Sequence, residues 1–263
     1  MPEAPDVEVF TRYLDATALH KEIRETTIHD ERLLHETDAQ SLTTSLRGES
    51  MASAARVGKY LFARLRGGKS LLLHFGMTGY LSYFKHRGDT PEYAQVVLDL
   101  ENGYHLAYVN KRILGRVGIV DDVQSYLDDH DIGPDIVELS EEELVRIIGR
   151  GRGAVKTTLM NQSMVSGLGN VYSDEVLFQS GVHPKSIGAR LPREAIHAMY
   201  RQIHAVFDAA TEAKADPQQM PDRFLVRHRE VGARFGACPG GVRKEQVSGR
   251  SCYYCPGAQR EFQ

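Results

Sequence analysis

The N-terminus of the chain places two residues side by side that could do chemistry. The sequence begins Met1-Pro2-Glu3, so removal of the initiator methionine leaves the secondary amine of Pro2 next to a carboxylate. A terminal amine has an ordinary pKa of about 8, which leaves a usable neutral fraction at physiological pH. A secondary amine that attacks an aldehyde-level carbon forms an obligately cationic iminium, a strong electron sink. Proline here also simply permits methionine removal, so the pair indicates a nucleophile only if the rest of the chain supports one.

The composition is that of a water-soluble globular protein. The chain has 263 residues, of which 41% are hydrophobic and 25% charged, enough for one large or two ordinary domains. No stretch has the length of a membrane span, and the N-terminus lacks the profile of a signal peptide. The three cysteines all follow residue 237 and do not suggest a disulfide framework. We therefore expect a cytoplasmic, reducing compartment, at the nucleoid in a prokaryote.

Charge is unevenly distributed along the chain. Residues 121–145 carry ten acidic side chains and no Lys or Arg, so the net charge of −3 becomes +7 without this segment. The last 43 residues carry eight basic side chains against four acidic ones. This segregation is typical of a protein with a polyanion-binding face.

Hydrophobic periodicity predicts two kinds of structure in succession. The spacing of Val7, Phe10 and Leu14 predicts an N-terminal helix to about Leu19. Short apolar runs separated by glycine turns then predict an antiparallel sandwich or barrel between about 23 and 120. The predicted strands are 23–28, 52–57, 60–65, 70–75, 80–84, 96–100 and 104–109. Helices follow at 141–148, 159–164, 173–180 and 193–214, and the chain ends in a basic, glycine-rich hairpin.

One turn between the predicted helices is suited to a phosphate group. Gly167-Leu168-Gly169-Asn170 lets the backbone turn sharply before the next helix starts. That start offers free N–H groups and the positive end of the helix dipole. Asn170 adds a side-chain donor, and Lys156 adds a positive charge nearby. An ordinary helix hairpin explains the glycines equally well on this segment alone.

Several short motifs occur together and in a fixed order. They are Pro2-Glu3, Gly58-Lys59-Tyr60, His74-Phe75-Gly76-Met77-Thr78-Gly79, the turn before Asn170, and Gly249-Arg250-Ser251 ahead of Tyr253-Tyr254-Cys255-Pro256. In this combination the whole chain resembles the formamidopyrimidine-DNA glycosylase/endonuclease VIII family of base-excision repair. The resemblance implies a two-domain α+β fold, with an N-terminal helix and antiparallel β-sandwich, then a helix–two-turn–helix domain with a zinc-finger-like β-hairpin.

The resemblance also assigns the parts of the chain. It implies a catalytic β-sandwich domain at 1–120, an acidic linker with the first helix at 121–145, a helix–two-turn–helix DNA-binding domain at 146–220 and the hairpin at 221–263. The implied partner is double-stranded DNA that contains oxidised bases or abasic sites. We expect the protein to act as a monomer, with no membrane contact.

The implied activity is that of a bifunctional glycosylase and AP lyase. Pro2 attacks C1′ of the damaged nucleotide and displaces the base, Glu3 acts as general acid and base, and the iminium drives β and then δ elimination. Lys59 contacts the phosphate beside the lesion. No cofactor takes part in this chemistry.

The remaining implied residues bind DNA. Met77, Arg112 and Leu114 fill the gap left by the extruded base, although the family has phenylalanine where Leu114 stands. Arg250 binds phosphates around the flipped nucleotide, with Lys156 and Asn170 as further contacts.

The sequence departs from the family at the zinc finger. Two Cys-x-x-Cys pairs are usual, but the matching positions are Cys238, Gly241, Cys255 and Ala258. Structural zinc normally needs four protein ligands, so we expect a finger that folds without metal, held by packing of Tyr253, Tyr254 and Phe235. The alternative is a Cys₃His set in a different register, made from Cys238, Cys252, Cys255 and His228.

Two further departures concern the chemistry and the lesion. Asp6 stands where the family usually has glutamate, which keeps the charge but shortens its reach. The segment 215–224 is short, whereas members specialised for 8-oxoguanine often have a longer flexible loop there. Formamidopyrimidines, hydantoins and oxidised pyrimidines are therefore at least as plausible as substrates.

Two other functions remain open from the sequence. A non-catalytic DNA-binding relative would keep the fold without the chemistry, but it would have no use for Pro2, Glu3 and Lys59. A small zinc-dependent nucleic-acid module fits less well, because the cysteine set is incomplete.

Overall fold

The computed structural model describes residues 1–263, which fold as two compact units, Met1–His130 and Asp131–Gln263. The first unit contains three helices and eight strands. In chain order they are α1 (Ala4–Thr17), β1 (Ile23–Ile28), α2 (Ala39–Leu46), β2 (Met51–Val57), β3 (Tyr60–Leu65), β4 (Ser70–His74), β5 (Tyr80–Phe84), β6 (Ala94–Leu100), β7 (His105–Val109), β8 (Arg116–Val120) and α3 (Val123–Asp129).

The strands form two four-stranded antiparallel sheets. Their orders are β1-β6-β7-β5 and β2-β3-β4-β8, which confirms the predicted sandwich. The apolar core includes Leu14 of α1 together with Leu61, Leu73, Leu98 and Leu106 of the strands. Because α1 packs on β2 and β3, the start of the chain is held on a rigid layer.

Three elements of the first unit were absent from the prediction. Strand β8 was missed because its alternation is interrupted by Gly118, which allows the backbone oxygen of His35 to lie close to it. Helices α2 and α3 are short, but each has an aspartate cap. Asp38 accepts from the N–H of Ser41, and Asp122 accepts from that of Ser125.

The second unit contains four helices and one hairpin. They are α4 (Glu141–Gly149), α5 (Val155–Met160), α6 (Asn170–Gln179), α7 (Arg193–Glu212), β9 (Arg243–Val247) and β10 (Arg250–Tyr254). The Ser140–Glu143 capping box and the start of α7 after Pro192 are confirmed. None of the helices combines the length and apolar character needed to cross a membrane.

Helix α5 lies several residues earlier than the predicted helix 159–164. The cause is Asn161, whose side chain accepts hydrogen bonds from the backbone N–H and the hydroxyl of Ser163 and so turns the chain out of the helix. The turn that leads to α6 therefore starts at Asn161. The division of the chain into four functional parts stays a prediction.

Candidate active site and nucleic-acid interface

The first turn of α1 fixes the residues at the start of the chain. Glu3 is the N-cap residue and is almost completely buried, while Pro2 is partly exposed directly before it. The Asp6 carboxylate accepts a hydrogen bond of 2.9 Å from the backbone N–H of Glu3. Because Glu3 and Asp6 belong to the same turn, a reactive group at Pro2 has two carboxylates close by in sequence and held by helix geometry.

Asp6 is an ionisable group of this turn with a shifted pKa. From the sequence it was noted only as a replacement for the glutamate that the family usually has. The pKa of Asp6 is raised to about 6, chiefly by burial; the backbone hydrogen bond from Glu3 lowers this pKa in part, and the nearby Glu3 carboxylate raises it. Asp6 therefore changes its protonation state near pH 6, well above the range of an ordinary aspartate. Its spacing of three residues from an N-cap was the available signal, since that is the geometry of a capping box.

Lys59 lies in the turn of a hairpin, between the two strands predicted at 52–57 and 60–65. Val57 pairs with Tyr60, so Gly58 and Lys59 form a two-residue turn in which Gly58 has a φ of +58°. The Lys59 side chain is only 6% exposed. Because Lys59 is buried and lies in a tight turn, its ammonium group is held in one position.

The environment of Lys59 is tied to α1 and to the end of β4. Arg56 donates to the carbonyl oxygen of Gly58 at 3.0 Å and lies 3.6 Å from the Glu8 carboxylate of α1. The pKa of His74 is lowered to about 4, chiefly by burial and in smaller part by the positive charges of Arg116 and Lys59. His74 is therefore a neutral imidazole at neutral pH.

The structure brings the two loops of the predicted wedge together. Met77 and Leu114 are among the exposed large apolar side chains, 42% and 51% exposed, and Arg112 is exposed beside Leu114. Gly76 has a φ of +57°, and a Cβ atom there would lie 2.5 Å from the backbone of Leu114. Only glycine permits this approach, so the motif that contains Met77 contacts the motif that contains Arg112 and Leu114.

A buried polar network holds these loops in register. The amide nitrogen of Asn110 donates to the carbonyl oxygen of Phe75 at 3.1 Å and to the hydroxyl of Tyr108 at 2.9 Å. The Tyr108 hydroxyl donates in turn to the carbonyl oxygen of His74 at 2.8 Å. Asn110 is fully buried. Two exposed apolar side chains thus sit on a rigid base, an arrangement suited to insertion into a base stack.

In the second unit, a glycine turn leads into α6 at Asn170. Gln162 braces this turn, because its side-chain nitrogen donates to the carbonyl oxygen of Leu168 and its oxygen accepts from the N–H of Gly167. Asn170 is the first residue of α6, and its side-chain oxygen is buried without a hydrogen-bond partner. Asn170 therefore lies at the positive end of the α6 dipole, where an anion is favoured.

Lys156 does not occupy the position expected of a direct phosphate contact. Its side chain is fully buried, and its ammonium forms an ion pair with Asp174 and donates to the carbonyl oxygen of Asn170 at 3.2 Å. Sequence could not separate a buried lysine from an exposed one because the partner carboxylate lies 18 residues further along. Lys156 therefore supports the backbone of Asn170 from inside the unit.

Asp174 is the residue that connects the helices to the hairpin, and the sequence did not reveal it. Its carboxylate is fully buried and accepts from Arg229 at 2.6 Å, from the backbone N–H of Tyr253 at 3.0 Å and from the thiol of Cys252 at 3.2 Å, in addition to Lys156. The Arg229 guanidinium also lies over the Tyr253 ring, 4.6 Å from its centroid.

Arg250 lies immediately after the tip of the hairpin. Ser248 and Gly249 both have positive φ, 49° and 75°, and form a two-residue turn after which Arg250 opens β10 and is exposed. The Ser248 hydroxyl is hydrogen-bonded at 2.8 Å to the hydroxyl of Thr157 at the start of α5. This contact places the hairpin tip beside the helix that carries Lys156.

The residues at the finger do not fit a zinc ion. Cys238 and Cys255 form a disulfide, with Cα atoms 5.9 Å apart, and the other two family positions are Gly241 and Ala258. The expectation that the cysteines form no disulfide was therefore wrong, because these two approach only when the loops at either end of the hairpin fold together. Both are fully buried against apolar residues of the unit.

The alternative Cys₃His set does not form either. The third thiol, Cys252, donates to Asp174, and the His228 ring stacks on Phe235 at 4.2 Å and is hydrogen-bonded to the carbonyl oxygen of Asp222. Of the aromatic residues expected to hold the finger, Phe235 packs on Phe178, with 5.7 Å between ring centroids.

Glu175 gives the second unit a measurable dependence on pH. Burial raises the pKa of Glu175 to about 7, although its carboxylate accepts from the backbone N–H groups of Leu225 and Val226. A raised folded-state pKa adds stability at low pH that is lost as pH rises from about 4.5 to about 7. We expect the stability of wild type relative to Glu175→Gln to fall by about 3 kcal/mol between pH 4.5 and pH 8. Urea denaturation at both pH values measures this difference, and a difference independent of pH would contradict the assignment.

Two domains of one known protein family match the two units of the chain. Residues 1–117 match the formamidopyrimidine-DNA glycosylase N-terminal domain, and residues 132–222 match the formamidopyrimidine-DNA glycosylase H2TH domain. A formamidopyrimidine-DNA glycosylase of Solibacter usitatus is 30% identical over 271 residues, with 99% of this chain and 100% of the relative covered. One from Arabidopsis thaliana is 28% identical, with 100% of this chain and 72% of the relative covered.

Solved structures share the fold. Lactococcus lactis Fpg in a complex with a FAPY-dG containing DNA has a TM-score of 0.89 at 23% identity, with 98% of this chain and 100% of that chain covered. The combination of a β-sandwich unit and a helix–two-turn–helix unit defines a class of DNA-repair glycosylases. The chain belongs to the formamidopyrimidine-DNA glycosylase family.

Proposed function

We propose that this chain, a DNA glycosylase that acts on damaged DNA, uses the amine of Pro2 as its nucleophile and cleaves the strand as an AP lyase. The observation that carries the proposal is the start of α1, where a buried Glu3 and an Asp6 of raised pKa follow directly on Pro2. The capping box by itself accounts for two carboxylates in this turn, so it is their place beside the amine of Pro2 that favours an enzyme over a non-catalytic DNA-binding protein. Family membership supports the enzyme function.

The reaction starts at C1′ of the damaged nucleotide. The nitrogen of Pro2 forms a bond to C1′, the bond to the base breaks, and the base leaves with the bonding electrons and a proton. Glu3 protonates the sugar ring oxygen as the ring opens, and the product is an iminium between Pro2 and C1′. The iminium withdraws electrons, so a proton leaves C2′ and the 3′ phosphate departs. A second elimination releases the 5′ phosphate, and water hydrolyses the remaining iminium to restore the amine.

The other residues hold DNA during these steps. Lys59 binds the phosphate beside the lesion from its fixed turn, and Met77, Arg112 and Leu114 occupy the space of the extruded base. In the second unit, Asn170 and Arg250 bind backbone phosphates. Lys156 acts indirectly by holding the backbone of Asn170.

The finger functions without zinc in this proposal. The disulfide between Cys238 and Cys255 connects the two loops that four zinc ligands would otherwise hold, and Asp174 anchors the base of the hairpin. The enzyme works where its DNA is, in the cytoplasm or at the nucleoid of a prokaryote, and acts as a monomer; this location rests on the DNA substrate and no longer on the cysteines, since two of them form a buried disulfide.

The segment 215–224 bears on the choice of lesion. It is not an open loop, because Pro217–Gln219 form a 3₁₀ helix and Met220 and Phe224 are buried. A flexible cap over a flipped 8-oxoguanine is therefore not built from this segment. We propose formamidopyrimidines, hydantoins or oxidised pyrimidines as preferred bases.

The function is tested by an incision assay. Protein confirmed to begin at Pro2 is incubated with end-labelled duplex DNA that contains 5-hydroxyuracil, and the products are separated by size and end group. The proposal expects strand cleavage with phosphate at both sides of a one-nucleotide gap. Tight binding without cleavage of either this DNA or abasic DNA would favour the non-catalytic relative.

Replacement of Met77 by alanine separates base extrusion from the chemistry that follows. We expect excision from 5-hydroxyuracil DNA to fall about tenfold, which corresponds to about 1.4 kcal/mol of lost stabilisation of the extruded state. Cleavage of abasic DNA should change little, because that substrate has no base to extrude. Single-turnover rates on the two DNAs provide the comparison, and an equal loss on both would show that Met77 does not act as a wedge.

A further inference from the structure

A cluster of two histidines and a glutamate lies in the first unit, at the end of α3. The side chains of His35, Glu36 and His130 bring their ligating atoms within 4.8 Å of one another. The Nε2 atom of His130 lies 2.9 Å from the Glu36 carboxylate, and that of His35 lies 4.0 Å from the same oxygen. The proposed repair chemistry uses none of these residues.

The backbone holds each histidine in place. The N–H of His35 donates to the carbonyl oxygen of Val117 at 2.9 Å, and its carbonyl oxygen packs against Gly118, where a Cβ atom would lie at 2.6 Å. His130 ends α3, and its ring stacks on Tyr126 with 4.0 Å between centroids. The two ligands are thus positioned by β8 and by α3 independently of each other.

A cation would satisfy the buried Nε2 atom of His35 and would replace the hydrogen bond of 2.9 Å that joins Nε2 of His130 to the Glu36 carboxylate. Glu36 has a φ of +56°, a conformation that a residue with a side chain rarely adopts. The Nε2 atom of His35 is buried without a hydrogen-bond partner. The Nδ1 atom of His130 is hydrogen-bonded at 2.8 Å to the carbonyl oxygen of Tyr126, so its Nε2 faces the carboxylate as a donor atom for a metal.

From these observations we propose that His35, Glu36 and His130 bind one divalent transition-metal ion of the Zn²⁺ class. Two imidazoles and a carboxylate are a donor set that Zn²⁺ and its neighbours prefer over Mg²⁺ or Ca²⁺. The hydrogen bond from His130 to a backbone carbonyl is the outer contact that metal-binding histidines usually make. Water completes the coordination, since Glu36 is 57% exposed.

The surrounding charge favours a cation on balance. Arg116 lies close enough to His35 to oppose a positive ion. An open cavity of about 450 Å³ adjoins the cluster, and its lining contains four carboxylates and no Lys or Arg, although Lys69 forms an ion pair of 2.9 Å with Asp121. The acidic residues of this lining are Glu36, Asp121, Asp122 and Asp129. The site is separate from the finger. There Cys238 and Cys255 form a disulfide, and Gly241 and Ala258 have no side-chain ligand atom for zinc.

Metal titration tests the site. Protein stripped with a chelator is titrated with Zn²⁺ in competition with a chromophoric chelator, and separately with Co²⁺, whose absorption reports its ligands. We expect one equivalent of Zn²⁺ and a Co²⁺ spectrum without a thiolate charge-transfer band, which excludes the cysteines as ligands. Absence of binding to wild type, or a thiolate band, would overturn the proposal.

Variants assign the ligands. His130→Ala and Glu36→Gln should each weaken Zn²⁺ at least about tenfold. Glu36 is exposed, so its variant tests the site even if His130→Ala does not fold. His86→Ala, at an exposed histidine of the same unit, should bind as wild type does. Unchanged affinity in Glu36→Gln, or an equal loss in His86→Ala, contradicts the assignment.

Discussion

Replacement of Asp174 by alanine should lower the free energy of unfolding by about 3–5 kcal/mol. The carboxylate is fully buried and faces the buried ammonium of Lys156 and the guanidinium of Arg229. Its removal leaves a buried positive charge without a partner, and this is the costly way to break a buried ion pair. The backbone N–H of Tyr253 and the thiol of Cys252 lose their acceptor as well. Urea denaturation followed by circular dichroism measures the change.

Asp222→Ala is the matched control for this prediction. Asp222 is also an aspartate beside an arginine, but it is 77% exposed and 3.7 Å from Arg227. An exposed pair of this kind contributes less than about 1 kcal/mol. A double variant, Asp174→Ala with Lys156→Met, removes the stranded charge and should recover part of the loss. Equal effects of Asp174→Ala and Asp222→Ala would contradict the role of Asp174.

The Asp174→Ala variant should also weaken DNA binding, because Asp174 connects α6 to the hairpin that carries Arg250. When one phosphate contact is lost, the slope of log K against log salt concentration becomes smaller in magnitude by about one. We expect Arg250→Ala to show this smaller salt slope with stability unchanged, whereas Asp174→Ala lowers both. Binding to abasic DNA at several salt concentrations distinguishes the two.

Replacement of Glu3 by glutamine should slow base excision by a factor of about 10² to 10⁴. The change removes a proton donor and keeps the size of the side chain, and proton transfer by a positioned side chain contributes acceleration of this order. Glu3 is the buried N-cap residue of α1, so glutamine retains a polar group at the same place. Single-turnover excision from 5-hydroxyuracil DNA measures the effect.

Asp6→Asn provides the comparison at the same helix turn. It removes the group whose pKa is about 6 while Glu3 stays in place. We expect a smaller loss of rate than in Glu3→Gln, together with a change in the pH–rate profile near pH 6. A Glu3→Gln enzyme with wild-type excision, and folded as judged by its circular dichroism, would show that Glu3 is not the general acid.

Local patterns were sufficient to predict much of this fold. Strands such as β3, with Tyr60–Leu65, have strong alternation between defined turns, and the capping box at Ser140 marks the start of α4 by itself. The proposed reactive terminus could be identified without tertiary information, because Pro2 and Glu3 are adjacent in the chain. Met77 and Leu114 were identified by their positions in the family motifs, and both are exposed in the structure.

The features that were missed depend on contacts between distant residues. Asp174 lies 55 residues before Arg229 and 79 before Tyr253, so its role appears only after folding. The same is true of the disulfide across 17 residues and of the burial of Lys156. The sequence does not show whether a lysine is buried or exposed. A lysine that binds phosphate and a lysine in a buried ion pair therefore cannot be distinguished until the partner carboxylate is located in the structure.

The measurement closest to the central claim is covalent trapping of the enzyme on DNA. Protein shown by mass spectrometry to begin at Pro2 is incubated with abasic duplex DNA and borohydride, and the adduct is digested and sequenced. The account predicts one DNA strand per chain, attached to the nitrogen of Pro2, and no adduct from protein that retains Met1. Absence of an adduct from correctly processed protein, or an adduct on Lys59 in place of Pro2, would contradict it.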